Sequence, residues 1–130
     1  MKTKDYTETV TFKAAPHDVY EALMDSKKHA AFTGAAADIS REVGGKFTAW
    51  DGYITGTNLE LVPDSKIVQD WRASDWPEGT ASEVTFLLES APEGARLTFT
   101  HKGIPADFCD DIIQGWQDYY WEPLKMMLES

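Results

Sequence analysis

Histidines supply the first candidates for chemistry, because their charge changes near neutral pH. The chain contains three of them, His17, His29 and His101. His17 and Glu21 stand four residues apart on a predicted helix, but two ligands do not make a zinc site, so an exposed helix surface is expected there. His101 lies on the apolar face of a predicted strand. A buried, hydrogen-bonded imidazole is the simpler interpretation, and His101 is otherwise the best candidate for acid–base catalysis.

Cys109 is the single cysteine, so no internal disulfide can form, which fits a reducing compartment. It lies near the start of a predicted helix, where the helix dipole favours a thiolate. The neighbouring acids Asp107, Asp110 and Asp111 oppose that effect, so we interpret Cys109 as a packed, unreactive thiol. The same acids lack the spacing of a calcium-binding loop, and no metal site is predicted.

Known catalytic motifs are absent from the sequence. There is no Gly-x-Ser-x-Gly elbow, no His-Glu-x-x-His pair and no dinucleotide fingerprint. Gly45 and Lys46 do not form a phosphate-binding loop, because Phe47 follows where that motif needs Ser or Thr. We therefore expect a protein that is not an enzyme and holds no cofactor.

Charge and length limit the classes of partner. The chain has 130 residues, with 12 Lys and Arg against 22 Asp and Glu, a formal charge of −10. Such a surface repels nucleic acid and anionic membranes, so neither is an expected partner. No apolar run approaches the ~20 residues of a membrane-spanning helix, and the start lacks the apolar core of a signal peptide. These features predict one cytoplasmic domain, residues 1–130, as a monomer or weak dimer.

Alternating and helical patterns predict the elements that carry these residues. Residues 6–12 alternate as a half-buried strand, and a helix follows from Pro16. Asp25 and Ser26 can end this helix and start a second short one. Further short strands and turns follow, in which Val84, Phe86 and Leu88 share one face and Leu97, Phe99 and His101 share another. The order predicts an α+β domain in which about six antiparallel strands curve around a long C-terminal helix.

The C-terminal segment is the longest helix candidate. Asp107 is the expected N-cap, and the apolar stripe includes Phe108, Trp116 and Tyr119. Pro123 falls inside the same segment. Because proline removes a backbone donor, we expect a kink there.

Aromatic residues are the candidates for binding. In the stretch "DWRASDWPEG" Trp71 belongs to a strand, whereas Trp76 lies in the following loop. We expect Trp71 to pack in the sheet or line a cavity, and Trp76 to lie at a rim, where its replacement by Ala would weaken binding more than stability. The remaining candidates either fill the core or line a ligand cavity, and the pattern leaves both open: Trp50, Tyr53, Phe86, Phe99, Phe108, Trp116, Tyr119 and Tyr120, with His101 beside them.

Several blocks of sequence resemble one known family in register. They include Gly45-Lys46-Phe47, Trp71-Arg72, Trp76-Pro77-Glu78-Gly79, Gly103-Ile104-Pro105 and Tyr119-Tyr120. These blocks are similar to the C-terminal domain of the activators of the heat-shock-protein-90 ATPase, and the resemblance runs from Tyr6 to Leu128. It implies the helix-grip fold of the START-like, or SRPBCC, superfamily.

The resemblance also implies a function and a partner. It implies a non-enzymatic domain that binds a chaperone of the heat-shock-protein-90 type. The family's eukaryotic members carry a further N-terminal domain that is not found in these residues, so weak or no ATPase stimulation is expected. Two alternatives are a carrier or sensor of a small hydrophobic, aromatic or lipid-like molecule and, less favoured, a cyclase or hydrolase that uses His101 with Tyr119.

Overall fold

A seven-stranded antiparallel sheet packs on one layer of helices. The computed structural model describes residues 2–129. The strands are β1 (Thr3–Phe12), β2 (Asp38–Ile39), β3 (Lys46–Ala49), β4 (Ile54–Val62), β5 (Lys66–Ala73), β6 (Ser82–Ala91) and β7 (Gly94–Pro105). The helices are α1 (Pro16–Met24), α2 (Ser26–Thr33), α3 (Cys109–Trp116) and α4 (Glu122–Leu128), with a π-helical segment, Gln117–Trp121, between α3 and α4. The α+β class and the helix-grip arrangement are confirmed.

The strand order in the sheet is β1-β7-β6-β5-β4-β3-β2. This is one strand more than the sequence predicts. The additional strand, β2, has two residues, which is too short to show an alternating pattern. None of the helices within residues 2–129 is long and apolar enough to cross a membrane.

The alternating pattern predicts the buried face of the sheet correctly. Across β6 and β7, Phe86 lies opposite Phe99 and Val84 lies opposite His101, and all four side chains are buried. Since side chains in a strand alternate between faces, this register places one aromatic and apolar surface against the helices. Phe99 packs there on Trp116, with ring centroids 4.4 Å apart.

The first helix and the start of the second lie where the sequence predicts them. Pro16 lies in the first turn of α1, where its missing N–H costs no hydrogen bond. The Asp25 carboxylate then accepts a hydrogen bond of 3.0 Å from the backbone N–H of Lys28 and caps α2. Gly34, in the left-handed conformation at φ 77°, ends α2.

The start of α3 differs from the prediction. Asp107 is not the N-cap, because it lies within a 3-10 turn, Ala106–Phe108, that continues from Pro105. Phe108 occupies the cap position and makes no capping hydrogen bond through its side chain. Asp110 and Asp111 do lie in the first turn of α3, where the positive end of the helix dipole stabilises them.

Pro123 is accommodated by a wider turn that precedes it. A proline ring clashes with the carbonyl four residues earlier, here that of Tyr119, which lies inside the π-helical segment. A π turn spaces carbonyls and amides differently from an α-helix and tolerates the missing donor. Trp116 and Trp121, five residues apart, stack at 5.5 Å with an interplanar angle of 18°. The break predicted at Pro123 therefore takes the form of a π turn that buries Trp121.

Gly56 in β4 provides a test of how tightly the sheet packs. A Cβ atom at this position would lie 2.1 Å from the carbonyl oxygen of Asp70 and 2.4 Å from the ring of Phe47. Gly56→Ala should therefore lower the free energy of unfolding by about 1–3 kcal/mol through overpacking. Denaturant unfolding measures the change, with Thr55→Ala on the exposed side of the same strand as control. Equal stability of the two variants would contradict this packing.

Candidate functional site

An open cleft of about 530 Å³ lies between α3, the π-helical segment and the turn after β3. Its floor is Trp71 of β5 and Trp116 of α3, both buried. The lining is mainly aromatic and apolar, and consists of Trp50, Tyr53, Trp71, Asp111, Ile112, Gly115, Trp116, Tyr119 and Tyr120.

A strained turn holds Trp50 at the edge of the cleft. Trp50 and Asp51 both adopt the left-handed conformation, with φ of 55° and 57°. A bulky residue rarely adopts it, and each such residue costs about 1–3 kcal/mol. The Asp51 carboxylate accepts a hydrogen bond of 2.9 Å from the backbone N–H of Ala36, and the Asp51 N–H donates to the carbonyl of Ala36 at 3.1 Å. These bonds maintain the turn and fix Trp50 before any ligand arrives.

The walls of the cleft meet at steep angles. The Trp50 ring lies 5.4 Å from Tyr119 at 70° and 6.1 Å from Tyr120 at 62°. The Trp50 indole N–H donates to the Tyr120 hydroxyl at 3.3 Å. Burial raises the pKa of Tyr120 well above its usual range, so this phenol stays uncharged at neutral pH.

Tyr53 forms the outer wall of the cleft and is 41% exposed. Its hydroxyl donates to the Asp75 carboxylate at 2.7 Å. Partial burial, with this hydrogen bond and the charges of Asp75 and Asp111, raises the pKa of Tyr53 to about 12. The cleft is therefore walled by neutral aromatic rings beside carboxylates.

Beneath the floor, His101 has both ring nitrogens engaged. The Trp116 indole N–H donates to His101 Nδ1 at 3.1 Å, so Nδ1 must be unprotonated. His101 Nε2 then carries the proton and donates to Ser82 Oγ at 2.7 Å, while Ser82 donates to the carbonyl of Trp71 at 2.8 Å. In this tautomer Nε2 cannot accept a proton from Ser82. The arrangement is that of a buried, hydrogen-bonded histidine.

The residue pair considered for catalysis is not brought together. His101 is fully buried, whereas Tyr119 is 58% exposed on the cleft wall. The His101 ring instead contacts Trp71, Phe99 and Trp116. The cyclase or hydrolase alternative therefore lacks the pair on which it depended.

The remaining polar candidates lie apart from the cleft. Cys109 is buried, as expected of a packed thiol. His17 is exposed and bonds to Asp64 at 2.8 Å, and Glu21 pairs with Arg41 at 2.5 Å. Within residues 2–129 no group of three or more His, Cys, Asp and Glu side chains is placed to hold a metal ion.

Trp76 is not at a rim, contrary to the prediction. It is only 3% exposed and packs on Trp71 at 5.5 Å and on Phe108 at 6.3 Å. The Arg72 guanidinium causes this by donating to the carbonyls of Trp76 and Pro77 at 2.9 and 2.8 Å, and to that of Thr80 at 2.8 Å. These charge-assisted bonds fold the loop back over the end of the sheet.

The predicted site residues separate into three groups. Six of them line the cleft: Trp50, Tyr53, Trp71, Trp116, Tyr119 and Tyr120. Trp76, Phe86, Phe99 and His101 are buried, and Phe108 lines a separate groove next to Pro77 and Pro105. The interior next to Phe86 is almost full, with a void of about 20 Å³. Whether the six residues bind a ligand stays a prediction.

Sequence reasoning missed five contributors. Asp111, Ile112 and Gly115 line the cleft. The spacing of four from Asp111 to Gly115, and again from Gly115 to Tyr119, would have placed Asp111 and Gly115 on the helix face that carries Tyr119. His29 is buried against Phe32 and Tyr120, at ring distances of 5.0 and 5.4 Å. Trp121 is buried in the core. Its position could not be predicted from helical spacing, because the π turn changes that spacing.

Comparison with known proteins gives one consistent family. A family model described as "Activator of Hsp90 ATPase homolog 1-like protein" matches residues 13–129. The human activator of 90 kDa heat shock protein ATPase homolog 1 is 36% identical over 115 residues, covering 88% of this chain and 34% of that protein. A Dictyostelium discoideum homolog is 37% identical over 117 residues, covering 88% and 30%. The chain thus spans about a third of these relatives.

Solved structures agree in fold. An HSP90 activator from Plasmodium falciparum is 26% identical, with a TM-score of 0.86 and coverage of 98% of this chain and 96% of that one. A Chromobacterium violaceum protein is also 26% identical, with a TM-score of 0.82 and 97% of each chain covered.

Burial of Trp76 reverses the effect expected of its replacement. Trp76→Ala should lower the free energy of unfolding by about 3–5 kcal/mol, because it leaves a cavity beside Trp71. Denaturant unfolding tests this prediction. Leu87→Ala is the control, because Leu87 is exposed. Unchanged stability with weakened partner binding would restore the rim role.

Two buried histidines predict a loss of stability in mild acid. Burial lowers the pKa of His29 to about 4 and that of His101 to about 3, whereas both titrate near 6.5 in the unfolded chain. Between these values only the unfolded chain binds the protons, so the unfolding free energy falls as pH decreases. From about pH 7.5 to about pH 5 the loss should be about 2 kcal/mol for each histidine.

Denaturant unfolding at the two pH values measures this loss. His29→Gln should remove about half of it. His17→Gln should leave it intact or slightly larger, because Asp64 raises the pKa of the His17 imidazole and gives the opposite sign. A wild-type protein of equal stability at both pH values would contradict the prediction.

Proposed function

The chain belongs to the family of activators of the heat-shock-protein-90 ATPase, and we propose that it is a binding domain for a chaperone of that type. The human relative is named as an activator of the chaperone's ATPase, and this chain corresponds to about a third of it. A domain of this size contributes contacts to such an assembly. It acts by binding, without chemistry of its own.

The mouth of the aromatic cleft is the surface that supports this proposal. Tyr53 and Tyr119 are 41% and 58% exposed there, although large aromatic side chains usually avoid water. Tyrosine and tryptophan dominate binding energy at protein interfaces, because they bury much area with few rotatable bonds. The net charge of −10 suits a basic surface on the chaperone.

An NMR titration of the labelled chain with the chaperone tests the proposal. Signals of the Trp50 indole and of Tyr119 should shift or broaden first, and Tyr119→Ala should weaken the affinity about tenfold. Met126→Ala is the matched control, since Met126 is 75% exposed and does not line the cleft. Added salt should weaken the complex. Shifts confined to residues away from the mouth, or equal affinity of the two variants, would reject this surface.

A second candidate function is the binding of a small apolar molecule in the cleft. Its volume of about 530 Å³ is within the range of sites that enclose drug-sized ligands, and its floor is formed by two buried tryptophans. This observation favours the carrier or sensor alternative alongside chaperone binding.

Gly115 allows the cleft to be narrowed without damaging the fold. A methyl group at this helical position would meet Tyr119 Cδ2 at 3.9 Å, an ordinary contact. Gly115→Ala should raise the free energy of unfolding by about 0.5–1 kcal/mol, because alanine favours the helix. The substitution should also lower the affinity for any ligand that binds in the cleft. Thermal unfolding and ligand titration together check these opposite signs, and unchanged ligand affinity would place the ligand elsewhere.

A further inference from the structure

The charge of the cleft lining has one sign. Among the nine lining residues Asp111 is charged, and no Lys, Arg or His contributes to the lining within residues 2–129. Asp111 is exposed at the mouth, on the first turn of α3. Asp75 lies beside the same mouth, hydrogen-bonded to Tyr53. A ligand that enters the cleft therefore passes carboxylates and tyrosine rings at its mouth.

The aromatic walls also favour a positive charge on the ligand. The face of an aromatic ring carries partial negative charge and attracts a cation, most strongly where water is excluded. The Trp50 ring is inclined at 70° to Tyr119 and at 62° to Tyr120, so the three rings form walls that meet at steep angles. The indole N–H of Trp50, its positive edge, is already bonded to the Tyr120 hydroxyl.

From this combination we propose that the cleft is a site for a small organic cation with an alkylated ammonium group. A quaternary ammonium fits because its methyl groups contact ring faces and need no hydrogen-bond acceptors, of which the walls offer few. Asp111 balances the positive charge at the mouth. Trp50, held by its strained turn, is in position before binding, so little ordering is required.

The ligand is a free molecule rather than a side chain of a partner. The cleft reaches the buried rings of Trp71 and Trp116, and its volume of about 530 Å³ lies within the range of sites that enclose a whole small molecule. This assignment rests on the second candidate function, ligand binding in the cleft, and names the chemistry of that ligand. It does not depend on chaperone binding.

Choline and 3,3-dimethylbutan-1-ol provide the test, because they share a shape and differ in charge. Titration followed by tryptophan fluorescence and NMR should show choline binding in the millimolar range or tighter, about tenfold more tightly than the neutral alcohol. Equal affinities would overturn the cation assignment and leave an apolar ligand site. If neither choline nor the alcohol binds, both the cation assignment and the ligand-binding function of the cleft are overturned. If choline does not bind and the chaperone perturbs Trp50, the cleft is a surface for the chaperone and the free-ligand assignment is wrong.

Two neighbouring acids provide a matched pair of variants. Asp111→Asn should weaken the binding of choline several-fold and leave the affinity for the alcohol unchanged, because it removes the charge of the side chain and keeps its shape. Asp110→Asn, one residue away and outside the lining, should change neither affinity. Tyr119→Leu should weaken the binding of choline more than the binding of the alcohol, since it keeps apolar area but removes a ring face. Equal effects of Asp111→Asn and Asp110→Asn on choline would overturn the role of Asp111.

Discussion

The hydrogen bond from Trp116 to His101 connects the C-terminal helix to the sheet. The Trp116 ring contacts aromatic side chains of β5, β6 and β7, and its N–H is satisfied by His101 Nδ1 at 3.1 Å. A buried indole N–H without a partner would cost stability, and a protonated imidazole could not accept the bond. The core therefore requires a neutral His101, which also removes this histidine from acid–base chemistry.

Core filling and cavity lining are not exclusive in this fold. Trp71 and Trp116 pack against the interior on one side and form the floor of the cleft on the other. Behind them the residual void is about 20 Å³, whereas the cleft in front is about 530 Å³. Trp71 and Trp116 thus separate a closely packed core from an open aromatic cleft. A binding function therefore needs no internal cavity between the sheet and the C-terminal helix.

The sequence predicted those features that follow from local periodicity. Alternation located the buried faces of β6 and β7, and Asp25 marked the boundary between α1 and α2. Trp76 was misplaced because three bonds from Arg72 fold its loop inwards, and such bonds leave no periodic signal. Some of the aromatic residues that line the cleft could be identified from the sequence. The outer edge of the cleft depends on the left-handed turn at Trp50 and on the π turn, which are set by tertiary contacts.

The distribution of the indoles has an optical consequence. Trp71, Trp76, Trp116 and Trp121 form one chain of contacts with centroid distances of 5.5 to 5.6 Å. Electronic transitions of rings this close couple, so these four absorb and emit as a group that reports on the integrity of the core. Trp50 contacts tyrosines at the cleft. Among the ring contacts within residues 2–129 none joins Trp50 to another indole, so the protein carries one cluster of coupled indoles and one indole outside it.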